Sequence, residues 1–186
     1  MDDAEPDDAH ELPAGSSDHR LAARPMTRAA VQLRDQATGS GSVCTAILRE
    51  LPHWFGFEQA NADYAMVADR SPTVIASVDG EDVGFLTLVH HSAHAAEIHV
   101  MGVLPAHHRR GIGRLLVAHA EGSLANAGVE FLQVKTVSAS AHDEGYARTL
   151  AFYLAEGFRV LEEMPDLWSA DNPAVQLVKA IPPPAH

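Results

Sequence analysis

The stretch AHHRRGIGRLLVAHAE, residues 106–121, joins a glycine-bearing turn to an amphipathic helix. Gly111 and Gly113 carry no Cβ atom, so a ligand can come close to the backbone at this turn. An apolar residue recurs at every fourth position from Ile112 to Leu124, which predicts a helix directly behind the turn. The free N–H groups and positive dipole end of that helix favour an anion such as phosphate or pyrophosphate. Three arginines add positive charge there: Arg109, Arg110 and Arg114.

The same turn is consistent with other functions. No Gly-Lys-Ser or Gly-Lys-Thr follows it, as a Walker loop requires, and it lacks the third glycine of the dinucleotide-binding fingerprint. Two glycines one residue apart also suit a tight strand-to-helix turn that binds nothing. An α/β protein of another kind could bind a different nucleotide through the same turn. Residues elsewhere in the sequence have to separate these alternatives.

The composition is that of a globular protein without a basic surface. Of the 186 residues, 46% are apolar, which is enough for one domain with a sizeable core. The 25 acidic residues outnumber the 13 Lys and Arg residues, and the formal net charge of −12 argues against nucleic-acid binding. No apolar run approaches the ~18 residues of a membrane span, and no secretory signal is recognisable. The single cysteine, Cys44, excludes an internal disulfide and favours a cytoplasmic location.

Three segments of the sequence differ in composition. Residues 1–40 are rich in Asp, Glu, Ala, Pro, Gly and Ser and show no apolar period, which predicts a disordered acidic N-terminal extension. Residues 41–182 carry periodic apolar patterns and form the predicted domain. Residues 183–186 end a proline-rich stretch and predict a solvated tail.

Within the domain the apolar pattern alternates between helical and strand periods. Helices are predicted over 43–51, 58–68, 112–127 and 147–158, with Gly128 and Gly157 ending the last two. Strands are predicted over 73–78, 83–91, 96–103, 131–137, 158–164 and 174–181. An Asp-Gly turn at residues 79–80 joins the first two strands into a hairpin. This order indicates a mixed α/β domain rather than a regular βαβ repeat.

A second motif lies in FYLAEGF, where Tyr153 precedes Gly157 by four residues. Together with the glycine turn, this motif resembles the GNAT acyltransferase superfamily, whose cofactor motif is Arg/Gln-x-x-Gly-x-Gly/Ala. Residues 108–113 read HRRGIG, so His108 stands in place of the usual Arg or Gln. The resemblance extends over residues 43–181, and its late part is similar to an uncharacterised bacterial branch of the superfamily.

The resemblance implies a single-domain α/β fold, with a mixed, mostly antiparallel sheet flanked by helices. Its two central strands would splay apart at a cofactor cleft. It also implies acetyl-CoA as the acyl donor, with the loop His108–Arg114 around the pyrophosphate. The backbone of Met101, Gly102 and Val103 would then pair with the pantetheine arm as an added strand does.

Acetyl transfer to an amine requires a neutral amine, a polarised thioester carbonyl and a proton for the departing thiolate. The resemblance places the general acid at Tyr153, which could instead be a buried aromatic with its hydroxyl bonded to backbone. Glu97 lies where some relatives have a carboxylate base that acts through water, and His99 has the better intrinsic pKa. Glu97 and His99 share one face of their strand unless a bulge intervenes, and either could be an edge residue without a role.

Candidates for the acceptor-binding wall are aromatic or polar-tipped residues near the ends of predicted elements: Trp54, Phe55, Tyr64, His90, His99, Tyr146 and Trp168. Ordinary core or rim packing is the competing explanation for each of them. The 12 histidines raise the question of a metal, but His90 and His91 face opposite sides of a strand. No recognised ligand spacing is present either, so the sequence predicts no metal site.

The sequence as a whole predicts an enzyme that moves an acetyl group from acetyl-CoA to a primary amine by direct transfer. Cys44 lies before the predicted sheet, so a covalent cysteine intermediate is not expected. The alternative is a GNAT-fold module that binds acyl-CoA or a partner without turnover. The sequence leaves five classes of acceptor amine: peptide N-termini, lysine side chains, polyamines, aminoglycosides and small amino acids. The expected partner is thus a small-molecule or peptide amine, not a nucleic acid or a membrane, and a homodimer is compatible with the fold.

Overall fold

The computed structural model describes residues 30–169 and 171–184. Within these residues, seven strands form one sheet in the order β1-β2-β3-β4-β5-β7-β6, and four α-helices pack on it. The strands are β1 (Val31–Gln36), β2 (Thr73–Val78), β3 (Glu81–His90), β4 (Ala95–Val103), β5 (Phe131–Val137), β6 (Arg159–Ser169) and β7 (Asn172–Ala180). The helices are α1 (Gly41–Arg49), α2 (Glu58–Ala68), α3 (Ile112–Asn126) and α4 (Glu144–Ala155). Short 3₁₀ turns span Pro105–His107 and Ala139–Ala141.

The directions of the strands make the sheet mixed and mostly antiparallel. In the described sheet β4 and β5 run parallel, and each other neighbouring pair is antiparallel. The β2–β3 hairpin turns at Asp79 and Gly80, whose φ angles of +53° and +86° are the positive pair that a type I′ turn requires. The predicted fold class and the predicted hairpin are therefore confirmed.

Apolar side chains form two cores on opposite faces of the sheet. On the face covered by α3 and α4, Leu86 of β3 packs in one cluster with Leu116 of α3. On the face covered by α1 and α2, Phe85 packs with Leu48 of α1. Because both faces of the central strands are covered, β2 is buried along its whole length and reads as an apolar run without alternation.

One strand was not predicted and corrects the boundary of the N-terminal segment. Residues 31–36, assigned by composition to a disordered extension, form β1 and pair with β2 from Val31↔Val78 onward. Leu33 packs against the α3/α4 core, and Arg34 forms two hydrogen bonds with the Asp82 carboxylate, at 2.6 and 2.7 Å. Two apolar residues in a six-residue strand give too weak a period to be recognised. The rest of the predicted extension, residues 1–29, lies outside the described residues.

The helix ends follow from local capping. Asp143 accepts a hydrogen bond from the Tyr146 N–H at 2.9 Å, so α4 begins at Glu144, three residues before its predicted start. α3 ends as predicted at Gly128, whose φ of +78° is accessible to a residue without Cβ. On the sheet, α4 packs against β5, and α3 packs against β2, β3 and β4.

Candidate active site

The two central strands separate after a short region of pairing. β4 pairs with β5 over four residues, Ala95–Ile98 against Phe131–Val134. β4 then continues to Val103 and β5 to Val137, with no pairing between them along the described strands. A V-shaped cleft therefore opens between the C-terminal halves of β4 and β5, as expected for the predicted splay.

A β-bulge at His99 marks the point where the strands separate. Thr87 of β3 pairs with Val100 and Leu88 pairs with Ile98, so His99 is the additional residue. Ile98 packs in the α3/α4 core and Val100 in the α1/α2 core, although residues two apart on a regular strand face the same side. A bulge bends a strand and increases its twist. The bend at His99 thus directs the end of β4 away from β5.

Peptide geometry gives the direction of the backbone groups on the open edge of β4. The Leu104 N–H donates to the Val83 carbonyl of β3 at 2.8 Å. Because the peptide is planar and trans, the Val103 carbonyl points the opposite way, into the cleft. Because backbone groups alternate in direction along a strand, the N–H and carbonyl groups of Met101 also point into the cleft, and those of Gly102 point towards β3. Two of the three predicted cofactor-pairing residues, Met101 and Val103, thus present backbone groups to the cleft.

The glycine turn lies at the end of this edge and begins α3. Gly111 has a φ of +84°, and a Cβ atom placed on it would meet nothing within 4 Å. No side chain caps the N-terminus of α3, so the N–H groups of its first turn are open to a ligand. A Cβ atom on Gly113 would lie 3.3 Å from the Phe152 ring of α4. Gly111 therefore allows the turn, and Gly113 allows α4 to approach it.

The positively charged side chains of the turn differ in their contacts. Arg110 donates to the His107 ring at 3.0 Å, and Arg114 donates to Glu156 of α4 at 3.0 Å. Arg109 is exposed and has a φ of +59°. The His108 ring donates to the Val103 carbonyl at 2.7 Å. The residues predicted to hold a pyrophosphate are therefore together, around an uncapped helix N-terminus.

Tyr153 lies on α4, packs in the α3/α4 core and is 5% exposed. Its ring packs between Phe152 and Phe158, with centroid distances of 5.2 and 5.5 Å. Burial raises the pKa of the Tyr153 phenol well above its ordinary value of 10.0. Tyr153 is therefore a phenol that stays protonated, and its raised pKa makes it a weaker acid than a free tyrosine.

Glu97 lies on the face of β4 that is turned towards α2, and it is 7% exposed. Its Oε2 atom accepts hydrogen bonds from Lys135 at 2.7 Å and from the His91 ring at 2.8 Å. Each of these contacts is made by Oε2, which leaves the second carboxylate oxygen, Oε1, for another donor. The neighbouring His99 has a lowered pKa, chiefly because burial disfavours its charged form.

A cavity of about 720 Å³ separates α2 from strands β3 and β4. Glu97 and His99 both line it, so these two side chains share a face of β4. This is expected, because the change of face caused by the bulge comes after His99. The other lining residues include Asp63, Met66 and Val67 of α2, Arg70 after α2, and His91 after β3. The cavity therefore combines carboxylates, imidazoles, a guanidinium and an apolar wall.

Ring contacts or a hydrogen bond involve five of the predicted acceptor-binding residues: Trp54, Phe55, Tyr64, His99 and Tyr146. Of these five, His99 lines the cavity. Tyr64 of α2 lies edge-on to His99 at 5.6 Å and to Phe55 at 5.9 Å. Trp54 lies edge-on to His108 at 5.9 Å, and its carbonyl accepts a hydrogen bond from the Tyr146 hydroxyl at 2.8 Å. The loop between α1 and α2 thus joins the candidate cofactor turn to α2 and to the start of α4.

Two further predicted acceptor-binding residues, His90 and Trp168, lie away from these contacts. His90 is exposed at the end of β3, and strand alternation directs it away from the face of Val89, which does line the cavity. Trp168 lies on the edge strand β6, separated from β5 by β7, and is 47% exposed. Lys135 was missed, although its alternation with apolar neighbours in FLQVKTV was a usable signal.

The remaining titratable groups give no second reactive site. In residues 30–169 and 171–184, no three His, Cys, Asp or Glu side chains converge as metal ligands. Cys44 of α1 is fully buried, and burial raises the pKa of its thiol to about 12. Among the described helices, none has the length and apolar character of a membrane span.

A family model described as an acetyltransferase (GNAT) domain matches residues 69–160. The matched part contains the cleft strands, the glycine turn and Tyr153. No curated protein matches the sequence of the chain.

Solved structures share the fold at low sequence identity. A GNAT-family protein from Desulfovibrio desulfuricans has a TM-score of 0.69 and 19% identity, over 82% of this chain and 100% of its own. A ribosomal-protein alanine N-acetyltransferase from Escherichia coli has a TM-score of 0.64 and 18% identity, over 83% and 97%. An aminoglycoside 6'-N-acetyltransferase complexed with coenzyme A has a TM-score of 0.65 and 17% identity, over 84% and 99%.

Proposed function

This chain carries a GNAT acetyltransferase domain, and we propose that it transfers an acetyl group from acetyl-CoA directly to a primary amine. The observation that carries the proposal is the open edge of β4, which leads into an uncapped helix N-terminus. A chain of amides can pair along such an edge, and a pyrophosphate at its end meets free N–H groups. A structural neighbour complexed with coenzyme A supports this choice of ligand.

Residues at both ends of the cleft suit acetyl-CoA as the ligand. Met101 and Val103 offer backbone groups where the edge is open, and Gly111 leaves the space beside the turn free of side-chain atoms. Arg109 and Arg110 add positive charge close to the turn. Acetyl-CoA supplies the activated acyl group as a thioester, so no residue of the chain has to carry the acetyl group.

In the proposed reaction the amine nitrogen attacks the thioester carbonyl carbon, and the carbon–sulfur bond breaks. We assign the proton that reaches the departing sulfur to the Tyr153 phenol, which is protonated; because its pKa is raised, this transfer depends on the placement of the phenol and not on its acidity. Glu97 Oε1 accepts the proton that the amine loses, directly or through water. Lys135 and His91 hold the other oxygen of this carboxylate in place.

The acceptor enters from the cavity between α2 and the strands. Asp63 and Glu97 are carboxylates of this cavity that can contact the amine. Arg70 adds a positive charge to its lining, and Lys135 is paired with Glu97. Met66 and Val67 of α2 suit the carbon skeleton of the amine. Peptide N-termini, lysine side chains, polyamines, aminoglycosides and small amino acids are the classes to compare.

The test is release of free CoA thiol from acetyl-CoA over a panel of these amines. We expect thiol release that depends on the amine and saturates with it. Calorimetric titration with CoA is run beside it. Binding of CoA without turnover on any amine would favour a binding module instead of an enzyme. Absence of CoA binding would overturn the assignment of the cleft.

A further inference from the structure

One side of α2 carries opposite charges along its length. Asp63, Met66 and Val67 of the helix, and Arg70 just after its end, line the cavity between α2 and the sheet. Residues three, four and seven positions apart lie on the same side of a helix. This side therefore presents a carboxylate, then an apolar surface, and a guanidinium beyond the last turn.

The backbone around Arg70 is fixed by hydrogen bonds on both sides. The Arg70 N–H donates to the Val67 carbonyl at 3.0 Å, and the Pro72 carbonyl accepts from the Leu88 N–H of β3 at 2.9 Å. Arg70 and Ser71, which both line the cavity, are thus held against β3. We call these two residues the basic corner of the cavity.

The Arg70 guanidinium is exposed, and its charge is available to a ligand. The ion pairs formed among the described residues do not involve it. The adjacent Asp69 carboxylate accepts a hydrogen bond from the Gly41 N–H of α1 at 2.7 Å, so it is directed to α1. Because α2 ends here with carbonyl groups, an anion in the basic corner depends on the side chains of Arg70 and Ser71.

The formal charges around the cavity balance. Asp63 and Glu97 are negative, Arg70 is positive, and the Lys135 ammonium lies 2.7 Å from Glu97. A polyamine or an aminoglycoside brings several positive charges, for which the cavity has no excess of carboxylates. An amine that also carries a carboxylate brings one negative charge, which Arg70 can pair with. A phosphate monoester carries nearly two at neutral pH, more than one guanidinium balances.

The basic corner and the candidate base lie on neighbouring strands. The basic corner contacts β3, whereas Glu97 belongs to β4 and pairs with Val89 of β3. Neighbouring strands are about 5 Å apart, so a ligand that reaches both groups has to span at least this distance. Met66 and Val67 of α2 face the same cavity and suit a carbon chain between the two ends.

We propose that the acceptor is an amino acid whose amino group and carboxylate are separated by several carbons, and that Arg70 binds this carboxylate. The inference rests on the proposed function, in which Glu97 receives the proton of the amine. The amino group then lies beside β4 and the carboxylate lies in the basic corner beside β3. Arg70 is thereby a specificity-determining residue of the acetyl transfer.

Four amines of equal chain length test the charge at the far end of the acceptor. They are γ-aminobutyrate, its amide γ-aminobutyramide, butylamine and putrescine, which end in an anion, a neutral polar group, a methyl group and a cation. The measurement is kcat/KM from the release of CoA thiol at saturating acetyl-CoA. We expect γ-aminobutyrate to exceed γ-aminobutyramide by about three- to tenfold, since the guanidinium is exposed and its ion pair is partly screened. Putrescine should be the poorest of the four.

Two variants of Arg70 assign the preference to its side chain. In Arg70→Gln the ratio of kcat/KM between γ-aminobutyrate and γ-aminobutyramide should fall to about one. In Arg70→Glu putrescine should be preferred over γ-aminobutyrate. Arg49→Gln is the matched control, because Arg49 is exposed at the end of α1 and does not line the cavity, and it should keep the parent ratio. Melting curves check that each variant is folded, and a merely structural role of Arg70 would not change the ratio between two acceptors.

The outcomes separate this inference from the proposed function. If γ-aminobutyramide, butylamine or putrescine is acetylated as efficiently as γ-aminobutyrate, the inference is wrong and the proposed function stands. The same holds if other amines release thiol and γ-aminobutyrate does not. A parent ratio retained in Arg70→Gln, or no shift towards putrescine in Arg70→Glu, would also overturn the inference. If no amine releases thiol, the inference and the proposed function fail together.

Discussion

The Lys135 ammonium lies 2.7 Å from the Glu97 carboxylate, at the point where β4 and β5 separate. Glu97 belongs to the paired part of β4, and Lys135 is the first residue of β5 beyond its last partner, Val134. The ion pair therefore spans the fork of the cleft. It therefore links Glu97, which lines the candidate acceptor cavity, to the unpaired part of β5.

Replacing Lys135 by Met should destabilise the protein, because the buried Glu97 carboxylate would lose its hydrogen-bonded ammonium and retain His91 and Gln133 as partners. We expect a loss of about 1–3 kcal/mol in the free energy of unfolding, measured by denaturant titration. The double variant Glu97→Gln/Lys135→Met should recover part of that loss. A single variant as stable as the parent would show that the pair contributes nothing to folding.

Replacing Gly111 by Asp should weaken CoA binding by at least about 100-fold, because a carboxylate would face the pyrophosphate at the helix N-terminus. Gly128→Asp is the matched control. Gly128 has a similar φ, +78° against +84°, and equally open surroundings at the other end of α3. Each variant should lose about 1–2 kcal/mol of stability to backbone strain. Equal CoA affinity in the two variants, measured by calorimetry, would exclude the turn as the anion site.

Tyr153→Phe keeps the buried ring and removes the proton that the proposed mechanism uses. We expect kcat to fall by roughly ten- to a thousandfold, with little change in the KM for acetyl-CoA. Stability should change little, because phenylalanine keeps the ring that packs between Phe152 and Phe158. Tyr146→Phe on the same helix is the comparison. That variant loses the 2.8 Å bond to Trp54 and should lose about 1 kcal/mol of stability. Full kcat in folded Tyr153→Phe would remove the phenol from the mechanism.

The lowered pKa of His99 should make stability depend on pH. The unfolded chain takes up a proton at His99 near its ordinary value of 6.5, whereas the folded chain does so at lower pH. The unfolded state thus binds more protons as pH falls through 6.5, so the free energy of unfolding should decrease there and the contribution is complete above it. Denaturant titrations between pH 8 and pH 5, about three units around this value, would measure the slope. His99→Gln should have a shallower slope than the parent, and equal slopes would contradict the assignment.

Local patterns in the sequence were sufficient for most elements. The strands over residues 73–78 and 131–137 and the helix over 58–68 lie where their periods predict them. The turn at Gly111 was predictable because its chemistry is contained in a few consecutive residues. β1 was missed because its pairing with β2 depends on contacts more than 35 residues apart in sequence, which its own weak period does not reveal.

The sequence by itself determined the glycine turn, the helix behind it and the position of Tyr153 before Gly157, since each depends on neighbouring residues. Tertiary structure decided which groups lie next to the open edge of β4. The bulge at His99 becomes visible when β3 pairs with β4, because a bulge is a mismatch between two strands. The ion pair of Glu97 with Lys135 and the bond from His108 to Val103 likewise require side chains to converge on one cleft. Such contacts depend on how strands diverge and loops cross, which no period along one segment of chain encodes.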